Sequence, residues 1–356
     1  MLIFVDGVYQ PFDNTGGTEF SSVQTIELAK GPQGTLFGRN ATGGVLQIQT
    51  RNPNERQGVD VQLGYDNYDT LSGKIYAASK LGENAAIDVA GFYVNQDNGW
   101  GTNLLDGSNF YTMKRYGVRS KLVAEVGDDF TATVALDYGN RRGQLGVGIS
   151  RSMQYDSRSM QYDFIYDSAR SQNLFLPTIY DVNTDDKRSG WRTKEGGGAL
   201  TLEKRFSEVK LLSISSYRRA REFFVVDIDG GPVPAFTLDR LDRRRVFTQE
   251  LQLSGDGTGF NWTAGLYYYN AVSRIRGSMF GGFVTSLAFG TPPGVDLVVS
   301  SRDKTNSYAA YAQRTIEVLP ETNLTLGALH HREARDHRPD DGAKLPAQRW
   351  RGRHAA

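Results

Sequence analysis

The chain has 356 residues, 23% of them charged with a net charge of +1, 11% aromatic and none a cysteine. The balanced charge indicates no nucleic-acid partner, and the lack of cysteine removes thiol catalysis, cysteine-ligated zinc and disulfides together. No apolar run nears the roughly 18 residues of a membrane-crossing helix, and "MLIFVDGVYQ" lacks the basic and apolar regions of a secretory signal, but strands cross a bilayer in about 9 to 11 residues.

The first fifty residues are marked by glycine. After "VDGVY" (Val5 to Tyr9), the stretch "VQTIELAKGPQGTLFGRNATGGVLQIQTRNP" runs from Val23 to Pro53. Gly31, Gly34 and Gly38 permit positive φ and close backbone approach in a compact mixed sheet, and Gly43-Gly44 is expected to make the hairpin before a strand Val45 to Thr50. A phosphate cradle is the rival reading. The spacing fits neither G-x-G-x-x-G nor G-x-x-x-x-G-K-[ST], and Gly38 is followed by Arg39-Asn40.

From Gly58 onward the hydrophobic period is two. In "YGVRSKLVAEV", Tyr116, Val118, Leu122 and Val126 alternate with Arg119, Lys121 and Glu125, and "FTATVALDY" and "VDVQLGY" repeat the pattern. It predicts eleven strands: 58–65, 70–80, 85–95, 113–126, 130–140, 191–205, 209–221, 245–254, 260–273, 304–318 and 323–329. After residue 80 the connections alternate between tight turns ("LGEN", "GDD", "FSE", "GDGTG", "LPET") and long loops (96–112, 141–190, 222–244, 274–303). A soluble sandwich has no reason to collect its short turns at one end. A transmembrane barrel does, with short periplasmic turns and long extracellular loops.

The glycine-rich stretch closely resembles the end of the plug domain of TonB-dependent outer-membrane receptors, in the iron-complex uptake branch. "LLSISSYRRAREFFVVDIDG", "FTQELQLSGDGTGFNWTAGLYYYN" and "SYAAYAQRTIEVLPETNLTLGA" resemble successive barrel segments of that family. The resemblance implies an all-β membrane protein: an antiparallel transmembrane β-barrel, about 11 of an expected 22 strands present, preceded by the C-terminal part of a plug. The expected division is plug 1–53, partial barrel 58–329 and an irregular tail 330–356. The implied activity is import of a large scarce solute, a ferric siderophore or related iron complex. The implied partners are the TonB complex of the inner membrane and the lipid of a Gram-negative outer membrane. The family's signal peptide, TonB-contacting segment and first part of the plug are not matched, so this chain by itself is expected not to transport. The competing reading is a soluble or surface-anchored β-rich binding protein of carbohydrate-binding or adhesin type.

Several residues are singled out. The plug motif comprises Lys30, Gly31, Pro32, Gly34, Gly38, Arg39, Gly43 and Gly44. Lys30, where the family usually has arginine before Gly-Pro, and Glu250, whose parity opposite Leu251 and Leu253 turns it inward, are expected at a polar plug–barrel interface. "SRSMQYD" occurs twice in succession, at 150–156 and 157–163, in the longest loop; Tyr155 and Tyr162, with Phe164 and Tyr166, form a candidate aromatic ligand-contacting surface. No cofactor or metal is expected. "DVNTDDK" and "DIDGG" miss the calcium-loop pattern, and His330, His331, His337 and His354 fall in an arginine-rich tail without ligand spacing. With every histidine there, no Ser/His/Asp constellation points to an enzyme.

Overall fold

The computed structural model describes residues 2–11, 22–31, 43–144, 180–182, 189–227, 237–279, 297–319 and 322–339. The first four strands, β1 (Leu2–Val5), β2 (Val8–Tyr9), β3 (Val23–Lys30) and β4 (Gly44–Thr50), form a mixed sheet in the order β2-β1-β4-β3. β1 runs parallel to β4 and antiparallel to β2. Leu2 and Val45 are its small buried core, packed by Phe4, Tyr9 and Ala29.

Glycine matters where β3 meets β4. Gly44 has φ +122° and a Cβ there would lie 2.5 Å from the Ala29 carbonyl oxygen, a distance no side chain tolerates. Gly31 has φ +82°, as its proposed role requires. Gly43-Gly44 is not a tight hairpin, however. Gly44 opens β4 opposite Lys30, so residues 31–43 connect the strands. Pro32, Gly34, Gly38 and Arg39 lie outside the described residues.

The remaining strands are β5 (Gly58–Asp66), β6 (Thr70–Lys80), β7 (Ala85–Gln96), β8 (Gly101–Asn103), β9 (Ser108–Phe110), β10 (Met113–Val126), β11 (Phe130–Gly143), β12 (Gly190–Phe206), β13 (Val209–Asp227), β14 (Thr237–Gly257), β15 (Phe260–Met279), β16 (Leu297–Leu319) and β17 (Thr322–Pro339). Apart from the small β8–β9 hairpin, they make one sheet of eleven strands in chain order, antiparallel throughout, with β5 and β17 at its edges. All eleven expected strands are present. At the tight-turn end the bounds agree within three residues, whereas at the other end the strands run further, as β14 does from Thr237 rather than 245. In "DRLDRRR" charge occupies both faces, so the hydrophobic period vanishes while the hydrogen-bond ladder to β13 continues.

The same reason corrects the tail. β17 continues through His330, His331 and His337 to Pro339, in register with β16, so the strand passes the expected boundary at 329 by ten residues. A backbone ladder needs a partner strand, not an alternating sequence. His337 bonds Asp303, and His331 Nε2 lies 2.7 Å from Ser307 Oγ. Among the described residues no group of three or more metal-ligating side chains occurs.

The two faces of the large sheet differ. One carries Val61, Leu63, Leu136 and Leu266, exposed by 58–82%. Among the described residues no second sheet covers it, as a soluble sandwich would need. The other face carries buried polar groups, including Asp88, Arg119, Lys121, Glu195, Arg218 and Asp242. This is the alternation of a lipid-facing wall with a polar interior.

Candidate functional site: the seat of the plug

The polar face of the large sheet receives the first sheet at one ionic cluster. It begins with "VDGVY". Asp6 (φ 48°) and Gly7 (φ 76°) are the central residues of the β1–β2 hairpin, the two positive φ values of a type I′ turn. The turn projects the Asp6 carboxylate sideways. Thr50 at the end of β4 donates to it twice, from its backbone N at 2.8 Å and from Oγ1 at 2.6 Å.

From the barrel, β10 supplies two cations. The Arg119 guanidinium pairs with Asp6 Oδ2, and Lys121 Nζ lies 3.1 Å from the same oxygen and 3.3 Å from the Thr50 carbonyl oxygen. Both side chains are 8% exposed. Burial by itself pushes the Asp6 carboxyl upward. The Arg119 and Lys121 charges and the two Thr50 bonds outweigh it and hold that carboxyl below its usual range. Behind them, Asp88 of β7, itself buried, accepts the Lys121 backbone N–H at 2.8 Å.

Two further contacts seat the plug. A Cβ on Gly7 would stand 3.0 Å from Ile214 Cδ1 of β13, so the hairpin tip lies close against the wall. The Tyr9 ring meets Tyr269 of β15 at 6.2 Å between centroids. At the entry to the barrel, Arg51 donates to Asp60 at 2.6 Å and lies over the Tyr76 ring at 4.8 Å, while Asn54 reaches Glu125 of β10 at 2.8 Å.

The expected pair is not the one formed. Glu250 does face the interior, but Tyr311 Oη donates to its Oε1 at 2.6 Å, a bond within the barrel wall. Lys30 ends β3 exposed and forms no ion pair with it. The interface pairs a plug acid with barrel cations, the reverse polarity of a plug lysine with a barrel glutamate. The missed signal was Asp-Gly, the strongest short hairpin mark, which fixes where an acid points. Tyr155, Tyr162, Phe164 and Tyr166 lie outside the described residues. In the described part of the loop end, Trp100 stacks on Tyr111 at 5.2 Å with Tyr68 at its edge.

No family model matches the chain. It is 26% identical over 227 residues, 51% of this chain and 37% of the relative, to the vitamin B12 transporter BtuB of Vibrio cholerae. It is 31% identical over 85 residues, 24% of this chain and 11% of the relative, to a Bordetella pertussis protein named "Probable TonB-dependent receptor BfrD". Among solved structures it superposes on the ferric yersiniabactin uptake receptor FyuA of Yersinia pestis with TM-score 0.67 and 16% identity, covering 94% of this chain and 51% of that one. The chain thus spans about half the length of that structure and less of the sequence relatives. The eleven-stranded antiparallel wall and the mixed sheet on its inner face thus superpose on about half of FyuA, and the chain is similar to TonB-dependent outer-membrane receptors.

Proposed function

We propose that the protein serves import of a large, scarce solute, a ferric siderophore or related iron complex, through the outer membrane, with energy from the TonB complex of the inner membrane. The observation that carries this reading is the seat of the plug. Asp6, Arg119 and Lys121 hold it by charge against a polar wall, so it can leave without exposing an apolar core. Support for iron over cobalamin comes from FyuA, named for ferric yersiniabactin uptake; BtuB is named for vitamin B12. In this reading Glu250 lines the space the plug occupies, and the aromatic group around Trp100 meets ligand first.

The test is growth of a deletion strain, complemented with the full receptor gene, on single iron sources, beside uptake of labelled ferric siderophore and cobalamin. Growth restored by one ferric chelate supports the proposal; cobalamin uptake alone overturns its iron assignment. Orientation is tested separately. Epitope tags in the connections at 144–189 and 280–296 should be accessible on intact cells and tags at 127–129 and 258–259 should not. The reverse pattern would turn the topology over.

A further inference from the structure

On the outward face of β12 to β15, toward the long connections, six cations stand together: Lys194, Arg219, Arg221, Arg243, Arg245 and Arg274. Strand register aligns them. Lys194 lies opposite Arg221, Arg221 opposite Arg243, and Arg243 opposite Arg274; one step nearer the apolar band, Arg219 lies opposite Arg245. Like charges directly opposite destabilise a sheet, so this arrangement calls for an external anion. All six are exposed, and none forms an ion pair with a described residue. Glu195, Glu222 and Asp242 of these strands have the opposite parity, and Asp242 accepts from Arg240 at 2.8 Å on the inner face, where Asp137 of β11 accepts from Arg218 at 2.7 Å; Asp239 shares the parity of Arg243 but stands four residues further toward the long connections.

Height identifies the anion. Just below the cations runs an outward aromatic row, with Tyr217 opposite Phe247 and Tyr268 opposite Tyr308, and below it the leucines of the apolar band. Such a row marks the edge of the hydrocarbon. Arg219 and Arg245 stand two residues beyond it and Arg221 and Arg243 four, about 7 and 13 Å at ~3.3 Å per residue, the depth of lipid headgroups. The Arg219 guanidinium lies over the Tyr217 ring at 5.0 Å. Gly196, in register with Arg219, has no side chain, and a concavity of about 670 Å³ opens among the cations there.

We infer that this face binds the phosphate groups of an anionic lipid headgroup in the leaflet on the side of the long connections. Paired guanidinium forks suit phosphate oxygens, and the outward aspect beside the apolar band suits a lipid rather than a solute taken from the lumen. The inference rests on the reading of this wall as membrane-spanning.

The experiment compares the full chain with R219Q/R221Q/R243Q/R245Q in phosphatidylcholine vesicles, with and without a bis-phosphorylated glycolipid, reading co-purified lipid by mass spectrometry after flotation. The parent should retain the phosphorylated lipid selectively and the variant about tenfold less, since each cation near an anionic surface contributes appreciably. The half-variants R219Q/R245Q and R221Q/R243Q, each expected to lose about threefold, carry the test if the fourfold change blocks insertion. K204Q/R314Q, which removes two cations at the tight-turn end, should retain as the parent does. Equal retention by parent and R219Q/R221Q/R243Q/R245Q, or equal loss in K204Q/R314Q, would overturn the inference. So would complete displacement by inorganic phosphate, which would make this a site for the free anion. Failure of the parent to float with neutral vesicles would instead overturn the membrane-spanning reading and the inference with it.

Discussion

Replacing Asp6 by asparagine should loosen the plug from the barrel wall by about 3 kcal/mol, because it leaves Arg119 and Lys121, both almost fully buried, without their counter-ion. Asparagine keeps the side-chain shape and tolerates the left-handed backbone of residue 6. Alanine should cost about 1 kcal/mol more, since it adds strain at that φ. The readout is amide hydrogen exchange of β1 and β4 in the membrane-inserted receptor. Exchange unchanged from the parent would remove Asp6 as the anchor. Arg119→Gln with Lys121→Gln should add little to Asp6→Asn, because all three changes break one cluster.

The same cluster sets a pH dependence. The docked carboxyl titrates below its free value, so its contribution is full above the free carboxylate range and is lost as the pH falls through the docked value. Docking should therefore be constant around neutrality and weaken only in strong acid. Protection of β1 and β4 that fell between pH 7 and 6 would point to a different group.

Leu136→Arg should cost about 2–4 kcal/mol of membrane insertion, the range for a cation on the lipid face of a barrel near the bilayer midplane. Leu136 is 58% exposed, between Val134 and Tyr138 on the outward face, and no described residue covers it. Thr133→Arg, one strand face away, enters the polar interior and should cost under about 1 kcal/mol. Flotation with phosphatidylcholine vesicles across a urea series measures both. Equal midpoints for the two variants would mean that the apolar stripe does not face lipid.

These predictions draw on two kinds of residue. Leu136 and its neighbours were readable because a half-solvated strand repeats every two residues, and tight turns such as "GDD" break the pattern at one end. Near the long connections, "DRLDRRR" and "LHHREARDHRP" put charge on both faces. The strands persist there through backbone pairing, which leaves no trace in hydrophobicity. The plug seat was half legible. Parity turns Glu250 inward, but its partner Tyr311 lies 61 residues on, and no local pattern names it.

By itself, the sequence determined the class of wall and the strands that build it, because side-chain alternation and turn chemistry are local and are written residue by residue. It also placed Gly31 at a positive φ and Gly44 where a Cβ would strike the Ala29 carbonyl oxygen. The tertiary structure alone decided which charges meet. Asp6 and Arg119 are 113 residues apart, and their contact depends on hairpin twist, strand register and the docking of one sheet on another. It also decided that Lys194, Arg221, Arg243 and Arg274 form one row across four strands. Register is a property of pairs of strands, and a single chain read in order shows each arginine but not its neighbour.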